Sequence, residues 1–197
     1  MIAEFNRSLR SRSVVESLTD GRRVADSSLT TDKRLNHAYV SIGSNLGDRA
    51  GYLLLAVRGM LAAGLRPLRL SRIYETAPVG YIEQPHFLNM VAELDGAHLP
   101  TPEQLLACLL RIEYALGRTR GVPQGPRTID LDLLFYPNVL SDTQYLTLPH
   151  PRIQARRFVL EPLNELVPSM VHPVLEKTIS ELLLETTDDS DVRVWKP

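Results

Sequence analysis

The chain is short of the features that mark secreted, membrane or polyanion-binding proteins. Its 197 residues include one cysteine, Cys108, which excludes an intrachain disulfide framework and fits a reducing compartment. Cys108 stands among leucines in a helical pattern and reads as an inert core thiol. No run approaches the roughly 18 apolar residues of a membrane span, and no apolar stretch of the secretory type follows Met1. A soluble, cytoplasmic protein is expected. The formal net charge is −1, which argues against a general nucleic-acid binder. A complete phosphate loop is also missing. Gly43-Ser44-Asn45-Leu46-Gly47-Asp48 has the glycines but lacks the closing Gly-Lys-Ser/Thr whose lysine and hydroxyl serve phosphate and Mg²⁺, so it reads as a structural turn.

Residues 1–36 lack sustained apolar periodicity, are rich in Ser and Arg, and are expected to be a mostly disordered extension. A transit peptide is the sharper alternative because of Arg7, Arg10 and Arg12, but Glu4, Glu16, Asp20, Asp26 and Asp32 speak against it. Residues 37–197 read as one domain. A strand is expected over Ala38–Ile42, followed by a helix whose apolar positions are Leu53, Leu54, Val57, Met60 and Leu61 and which Gly64 closes. Strands follow around Leu68–Tyr74 and Phe87–Leu94. Thr101-Pro102-Glu103-Gln104 is a capping box that opens a helix carrying Leu105, Leu109, Ile112 and Leu116 and ending at Gly117. Short helices are expected over Phe158–Leu166 and Glu176–Leu184, with an edge strand near Val192–Trp195. The order strand, helix, strand, strand, helix, strand predicts an α+β, ferredoxin-like sandwich with an antiparallel-rich sheet backed by helices.

The chemistry concentrates in Gly125-Pro126-Arg127-Thr128-Ile129-Asp130-Leu131-Asp132-Leu133-Leu134-Phe135. Residues i and i+2 of a strand share a face, so Asp130 and Asp132 project side by side, while Ile129, Leu131, Leu133 and Phe135 turn to a core. Adjacent carboxylates repel unless a cation lies between them, and an oxygen-only donor set suits Mg²⁺. The plainer reading is a solvated strand face. Arginines crowd this strand: Arg111, Arg118, Arg120 and Arg127 precede it, and Arg152, Arg156 and Arg157 follow Pro149-His150-Pro151. Guanidinium forks are bidentate donors to phosphate, so carboxylates with converging arginines suggest a nucleoside triphosphate site.

The Gly125–Asp132 segment resembles the signature of the 6-hydroxymethyl-7,8-dihydropterin pyrophosphokinase family. Further matches occur in order: Ala38-Tyr39-Val40-Ser41-Ile42-Gly43-Ser44-Asn45-Leu46-Gly47, then Tyr74-Glu75-Thr76-Ala77-Pro78-Val79-Gly80 with Gln84-Pro85-His86-Phe87-Leu88-Asn89, then Pro149-His150 with Arg156 and Phe158. The resemblance implies pyrophosphate transfer from ATP to the pterin hydroxymethyl group, with release of AMP, in folate biosynthesis. It implies a pair of Mg²⁺ ions on Asp130 and Asp132, and Arg118, Arg120 and Arg127 acting beside them on phosphate. Glu113, His150 and Arg156 join Arg118 and Arg127 around ATP. Thr76, Pro78, Val79, Phe87, Asn89, Asp130 and Phe158 surround the pterin, the two aromatics stacking its ring. Gly117–Gly125 has the composition of a lid, although relatives often carry a Trp where this chain has Gln124, and Pro151 and Leu110 also depart from common choices. The expected partners are the two small substrates, without nucleic acid, membrane or second subunit. A ferredoxin-like nucleic-acid module and an inactive relative are the competing readings; acids on the central strand disfavour the first, and the complete set Asp130, Asp132, Arg127, His150 and Arg156 disfavours the second.

Overall fold

The computed structural model describes residues 22–24, 36–78, 83–119 and 125–197. The expected extension therefore lies mostly outside the described residues, as do Val79, Arg120 and Gln124 of the expected site. One short piece of the extension is described: β1 (Arg22–Val24) pairs antiparallel with β7 (Val139–Asp142), which also pairs with β8 (Thr147–Leu148). The sequence reading had no β7–β8 hairpin.

The main sheet starts with β2 (Ala38–Ser44), every residue of which is buried. It runs two residues beyond the expected strand because Gly43 lies between two partners, pairing with Asn89 on one side and Asp130 on the other. A Cβ at Gly43 would sit 2.7 Å from Asn89 Oδ1, so only glycine lets these strands carry their side chains so close. The chain then turns into α1 (Arg49–Ala62), whose first turn is capped by the Asp48 carboxylate accepting from Gly51 N at 3.0 Å. This helix buries Leu53, Ala56 and Met60. Leu54 and Leu61, expected on the buried stripe, point to solvent at 62% and 56% exposure, because a helix lying on a sheet covers one stripe and both residues lie about 100° round from it.

The strand expected over Leu68–Tyr74 is two, β3 (Pro67–Leu70) and β4 (Tyr74–Thr76), both paired with β5 (Phe87–Leu94). Ser71 makes the break: its hydroxyl accepts from Val91 N at 2.9 Å, substituting a side chain for a ladder carbonyl. In α2 (Pro102–Ala115) the capping box forms as read, with Thr101 and Gln104 each accepting from the other's backbone N–H. Cys108 is buried in the core. The remaining elements are β6 (Asp130–Phe135), α3 (Arg157–Leu166), α4 (Ile179–Glu185) and β9 (Val192–Val194). The last helix starts three residues later than expected, where Thr178 forms a second capping box with Glu181.

The architecture is an α+β fold whose antiparallel sheet runs β6-β2-β5-β4-β9, with β3 beside β4 on β5. One face packs against α1 and α2 through Val40, Ile42, Met90, Leu131 and Leu133. The other packs against α3 and α4 through Tyr39, Val91, Leu134 and Phe135. Phe135 was expected on the first face. A register shift between Tyr39 and Val40 places Leu133 and Phe135 opposite successive β2 residues, and this bulge rolls Phe135 onto the side of Leu134. Helices α3 and α4 cover only part of their face, and the uncovered part is a cavity. Among the described residues, no helix is long and apolar enough to cross a membrane.

Candidate active site

The uncovered part of the sheet presents one row of side chains from each strand. Asp130 and Asp132 of β6 lie opposite Gly43 and Ser41 of β2, whose small size leaves space above the sheet. Phe87 and Asn89 of β5 continue the floor, and Thr76 of β4 borders it. The Asn89 amide donates to Thr76 Oγ1 at 2.8 Å, which fixes its orientation and leaves its carbonyl oxygen facing Gly43. Arg152 and Arg156, from the turn leading into α3, and Phe158, in the first turn of that helix, close the cavity, whose volume is about 240 Å³. Arg127 lies over the Phe87 ring at 5.0 Å and Arg156 over the Phe158 ring at 5.5 Å, so each cavity aromatic carries a cation.

The two aspartates do not face each other uncompensated. Asp130 is held by Arg118 at 2.6 Å and by Arg127 at 2.7 Å. Asp132 pairs with Arg156 at 3.2 Å, and His150 Nε2 stands 4.0 Å from the same carboxylate oxygen. Carboxylate repulsion across the strand is thus offset by arginine. This alters the expectation drawn from spacing alone, which left the pair unbalanced.

Arg127 owes its position to Asn45. The buried Asn45 side chain accepts from Arg127 N at 2.8 Å, while its amide donates to Gln84 Oε1 and to Pro85 O at 3.0 and 3.1 Å. Its backbone N–H donates to Arg127 O at 3.1 Å. The turn read as purely structural therefore ties the entry of the aspartate strand to the segment before β5. An Asn following a strand-ending Gly-Ser is the available sequence signal, but its partners lie tens of residues away.

Glu113 sits behind Asp130, almost fully buried, where its Oε1 accepts from Leu131 N at 2.7 Å and pairs with Arg118. Burial pushes its carboxyl up, against the opposing pull of the Leu131 amide and Arg118. Burial would lower the Arg118 guanidinium, but Asp130 and Glu113 outweigh it and hold the group above its usual range. Glu113 does not line the main cavity; with Leu110, Tyr114 and Arg118 it lines a separate shallow pocket. His150 is held with Nδ1 accepting from Arg152 N at 3.2 Å. Burial pushes its imidazole down, assisted by Arg156 and Arg152 and opposed by Asp132. It lines a second cavity of about 240 Å³ with Leu106, Thr143 and Tyr145, and Asp132 lines both cavities. The aspartate strand is at the sheet edge, so one carboxylate serves two adjoining hollows.

Of the expected site residues, Asp130, Asp132, Arg127, Arg156, Phe87, Phe158, Asn89 and Thr76 meet in the main cavity. Arg118 reaches Asp130 from behind, and His150 borders the adjoining hollow. Pro78 follows Ala77, which lines the cavity, although Pro78 itself does not. Ser41 and Ala155 line it without having been expected in the site, and Arg152, expected among the arginines around the aspartate strand but given no role, lines it too. The donor set on the strand face is oxygen-only, and no cluster of three or more His, Cys, Asp or Glu side chains occurs among the described residues. Two carboxylates of partial exposure fit a Mg²⁺ ion, which keeps water and substrate phosphate in most of its coordination positions.

Comparison with known proteins places these features together. The chain matches the family described as 7,8-dihydro-6-hydroxymethylpterin-pyrophosphokinase (HPPK) over residues 39–168. It is 43% identical over 162 residues to the 2-amino-4-hydroxy-6-hydroxymethyldihydropteridine pyrophosphokinase of Bacillus subtilis, covering 82% of this chain and 91% of that protein. It is 40% identical over 160 residues to the folic acid synthesis protein fol1 of Pneumocystis carinii, of which the match spans 21%. Among solved structures, the Plasmodium falciparum HPPK-DHPS with pterin and p-hydroxybenzoate superposes with a TM-score of 0.58 at 17% identity, over 76% of this chain and 42% of that one, a likeness of fold. With a family match that spans both cavities and every strand of the sheet but β9, and a relative of this identity along nearly its whole length, the chain belongs to the 7,8-dihydro-6-hydroxymethylpterin-pyrophosphokinase family.

Proposed function

We infer that the protein transfers the terminal diphosphate of ATP to the hydroxymethyl oxygen of 6-hydroxymethyl-7,8-dihydropterin in folate biosynthesis. The observation that carries this reading is the position of Asp132 on two adjoining hollows, one walled by aromatics and an oriented amide, the other bordered by His150. A flat heterocycle suits the first hollow: Phe87 and Phe158 offer ring faces, and Asn89 with Thr76 offers a donor–acceptor edge beside Ala77; the family resemblance adds Pro78 and Val79 to this group. The nucleotide then belongs on the His150 side, with its phosphates directed at the aspartates.

In that arrangement the hydroxymethyl oxygen forms a bond to the β-phosphorus as the bond from that phosphorus to the α,β-bridging oxygen breaks. AMP leaves, and the hydroxyl proton passes to solvent. Asp130 and Asp132 would hold the Mg²⁺ ions, which supply charge neutralisation to the phosphates when bound. Arg118, Arg127 and Arg156, now engaged with the carboxylates, are cations available to phosphate oxygens, and the family resemblance adds Arg120, which lies outside the described residues. Glu113 acts on the ATP side by holding Arg118 and the Leu131 amide. Positioning and electrostatic stabilisation supply the rate, since the aspartates and the arginines that pair with them already converge on one cavity.

We assign the fold to the ferredoxin-like class; the order β6-β2-β5-β4, with β3 and β4 taken as one interrupted strand and β9 added at the edge, supports this reading. Residues 37–197 form the catalytic domain in this reading, working as a cytoplasmic monomer, with 1–36 an extension outside the site. A nucleic-acid module would need an open stacking face, where this sheet carries two aspartates and the cover of α3. Incubation with ATP, Mg²⁺ and the pterin tests the assignment. AMP and a pterin diphosphate are expected, and accumulation of ADP would overturn it.

A further inference from the structure

The main cavity is lined by three arginines, Arg127, Arg152 and Arg156, and two aspartates. Arg127 is paired with Asp130 and Arg156 with Asp132. Arg152 has no carboxylate partner among the described residues, although its own backbone N–H helps hold His150. Its charge is near enough to the others to depress both the His150 imidazole, after burial and together with Arg156, and the Arg156 guanidinium, after burial. A guanidinium that adds repulsion to a cluster already containing a cation is unfavourable until an anion arrives. It sits at the mouth of the cavity, exposed to solvent, where its folded-state cost is small.

We propose that Arg152 is a binding residue for the diphosphate being transferred, contacting the β,γ-phosphates of ATP and the same group once it is on the pterin. The assignment rests on the pyrophosphoryl-transfer reading above. It follows from location: Arg152 lines the cavity that receives the pterin, and within that cavity the only part of the nucleotide that must meet the pterin is the group that moves. The α-phosphate and nucleoside belong to the adjoining hollow, which Arg152 does not line. Arg127 and Arg156 must loosen from aspartate to take phosphate, whereas Arg152 gives up no ion pair. Its fork is thus, among the described residues that line this cavity, the cation free to take phosphate at once, and charge-assisted bonds of this kind are the stronger class.

The test compares Arg152→Gln and Arg152→Lys with the parent full-length protein. Affinities are measured calorimetrically for α,β-methylene-ATP with Mg²⁺, for AMP, and by fluorescence for 6-hydroxymethylpterin. Loss of one charge-assisted contact at a partly exposed site should weaken α,β-methylene-ATP by roughly tenfold in the glutamine variant, with an intermediate value for lysine. AMP and pterin affinities and the unfolding temperature should stay at parent values. Product pterin diphosphate should weaken together with the analogue. Unchanged analogue affinity overturns the proposal, and so does an equal loss for AMP, which would mean a general field in place of a diphosphate contact. A parent protein that makes no AMP refutes the reaction itself, whereas a parent that makes AMP alongside an unaffected glutamine variant refutes only the role of Arg152.

Discussion

Replacing each strand carboxylate by its amide should separate two properties that the spacing of the aspartates alone would join. Repulsion across one strand face implies that Asp130→Asn and Asp132→Asn both leave the fold intact or stabilise it. The ion pairs reverse that expectation for Asp130. Its side chain is only 17% exposed and accepts from both Arg118 and Arg127, so the amide loses the charge that balances two guanidinium groups. Arg118 retains Glu113, and Arg127 retains Gly125 O and the Phe87 ring, which limits the penalty to about 1–2 kcal/mol. Asp132 is 32% exposed and has one pair at 3.2 Å, worth less than about 1 kcal/mol after solvent screening. For a chain of this length, these values lower the unfolding temperature by several degrees for Asp130→Asn and by about two degrees or less for Asp132→Asn. Activity should respond alike: removing about 3 kcal/mol of transition-state stabilisation reduces the rate on the order of a hundredfold in both. Thermal unfolding without ligands and single-turnover AMP formation at saturating substrates measure the two effects. If Asp130→Asn unfolds at or above the parent temperature, the arginine pairs do not hold the strand as described; a variant with near-parent turnover removes that carboxylate from the chemistry.

His172 gives a pH prediction away from the site. It is buried against Phe135, its Nδ1 accepts from Val174 N and Leu175 N, and burial pushes its imidazole from 6.5 down to about 4. The unfolded chain therefore takes up this proton before the folded one, so the contribution is complete above pH 6.5 and is lost as pH falls from there towards 4, about 3 kcal/mol in all. His172→Asn, which keeps an acceptor, should flatten the stability–pH curve relative to the parent in that window; parallel curves in denaturant titrations would show that His172 does not titrate with unfolding. Phe158→Leu keeps an apolar wall but loses a stacking face worth about 1 kcal/mol, so pterin affinity should fall roughly fivefold with ATP affinity unchanged. Unaltered pterin binding by fluorescence titration would make Phe158 a core residue only.

The features legible in the sequence were those set by near neighbours. Period two placed Asp130 and Asp132 on one face, and both the Thr101 box and the Gly64 stop depend on residues within a turn. The features that were not legible depend on distant partners. The interruption of β3 and β4 at Ser71 is fixed by Val91, the side taken by Phe135 by a bulge against Tyr39, and the role of Asn45 by Gln84, Pro85 and Arg127. The β7–β8 hairpin was missed for a related reason. Val139–Asp142 is four residues long without clear alternation, and its entry turn relies on Asn138 at φ 52°. Arginine content suggested phosphate, but which arginines neutralise the aspartates is a tertiary fact.

The same alternation that makes the site also supports it. On β2 the residues facing the cavity are Gly43 and Ser41, and the next on that face is Tyr39, which is core beneath α3 and α4. On β6 the series is Asp130, Asp132, Leu134, and on β5 it is Phe87, Asn89, Val91. Each strand therefore carries small, polar or aromatic side chains at the cavity and large apolar ones beyond it on the same face; the β2–β5 pairing runs through this boundary unbroken, while the β2–β6 pairing has its bulge there. The cavity floor is an extension of the second core, so Tyr39, Leu134 and Val91 fix the strands that carry Gly43, the aspartates and Asn89. A binding surface built this way needs little ordering when substrates arrive, which leaves the turn bearing Arg152 and Arg156, with Phe158 just inside α3, as the rim of the cavity. In the proposed reaction, floor and rim would divide the work: the floor would fix the pterin edge and the carboxylates, and the rim would bring cations to the phosphate.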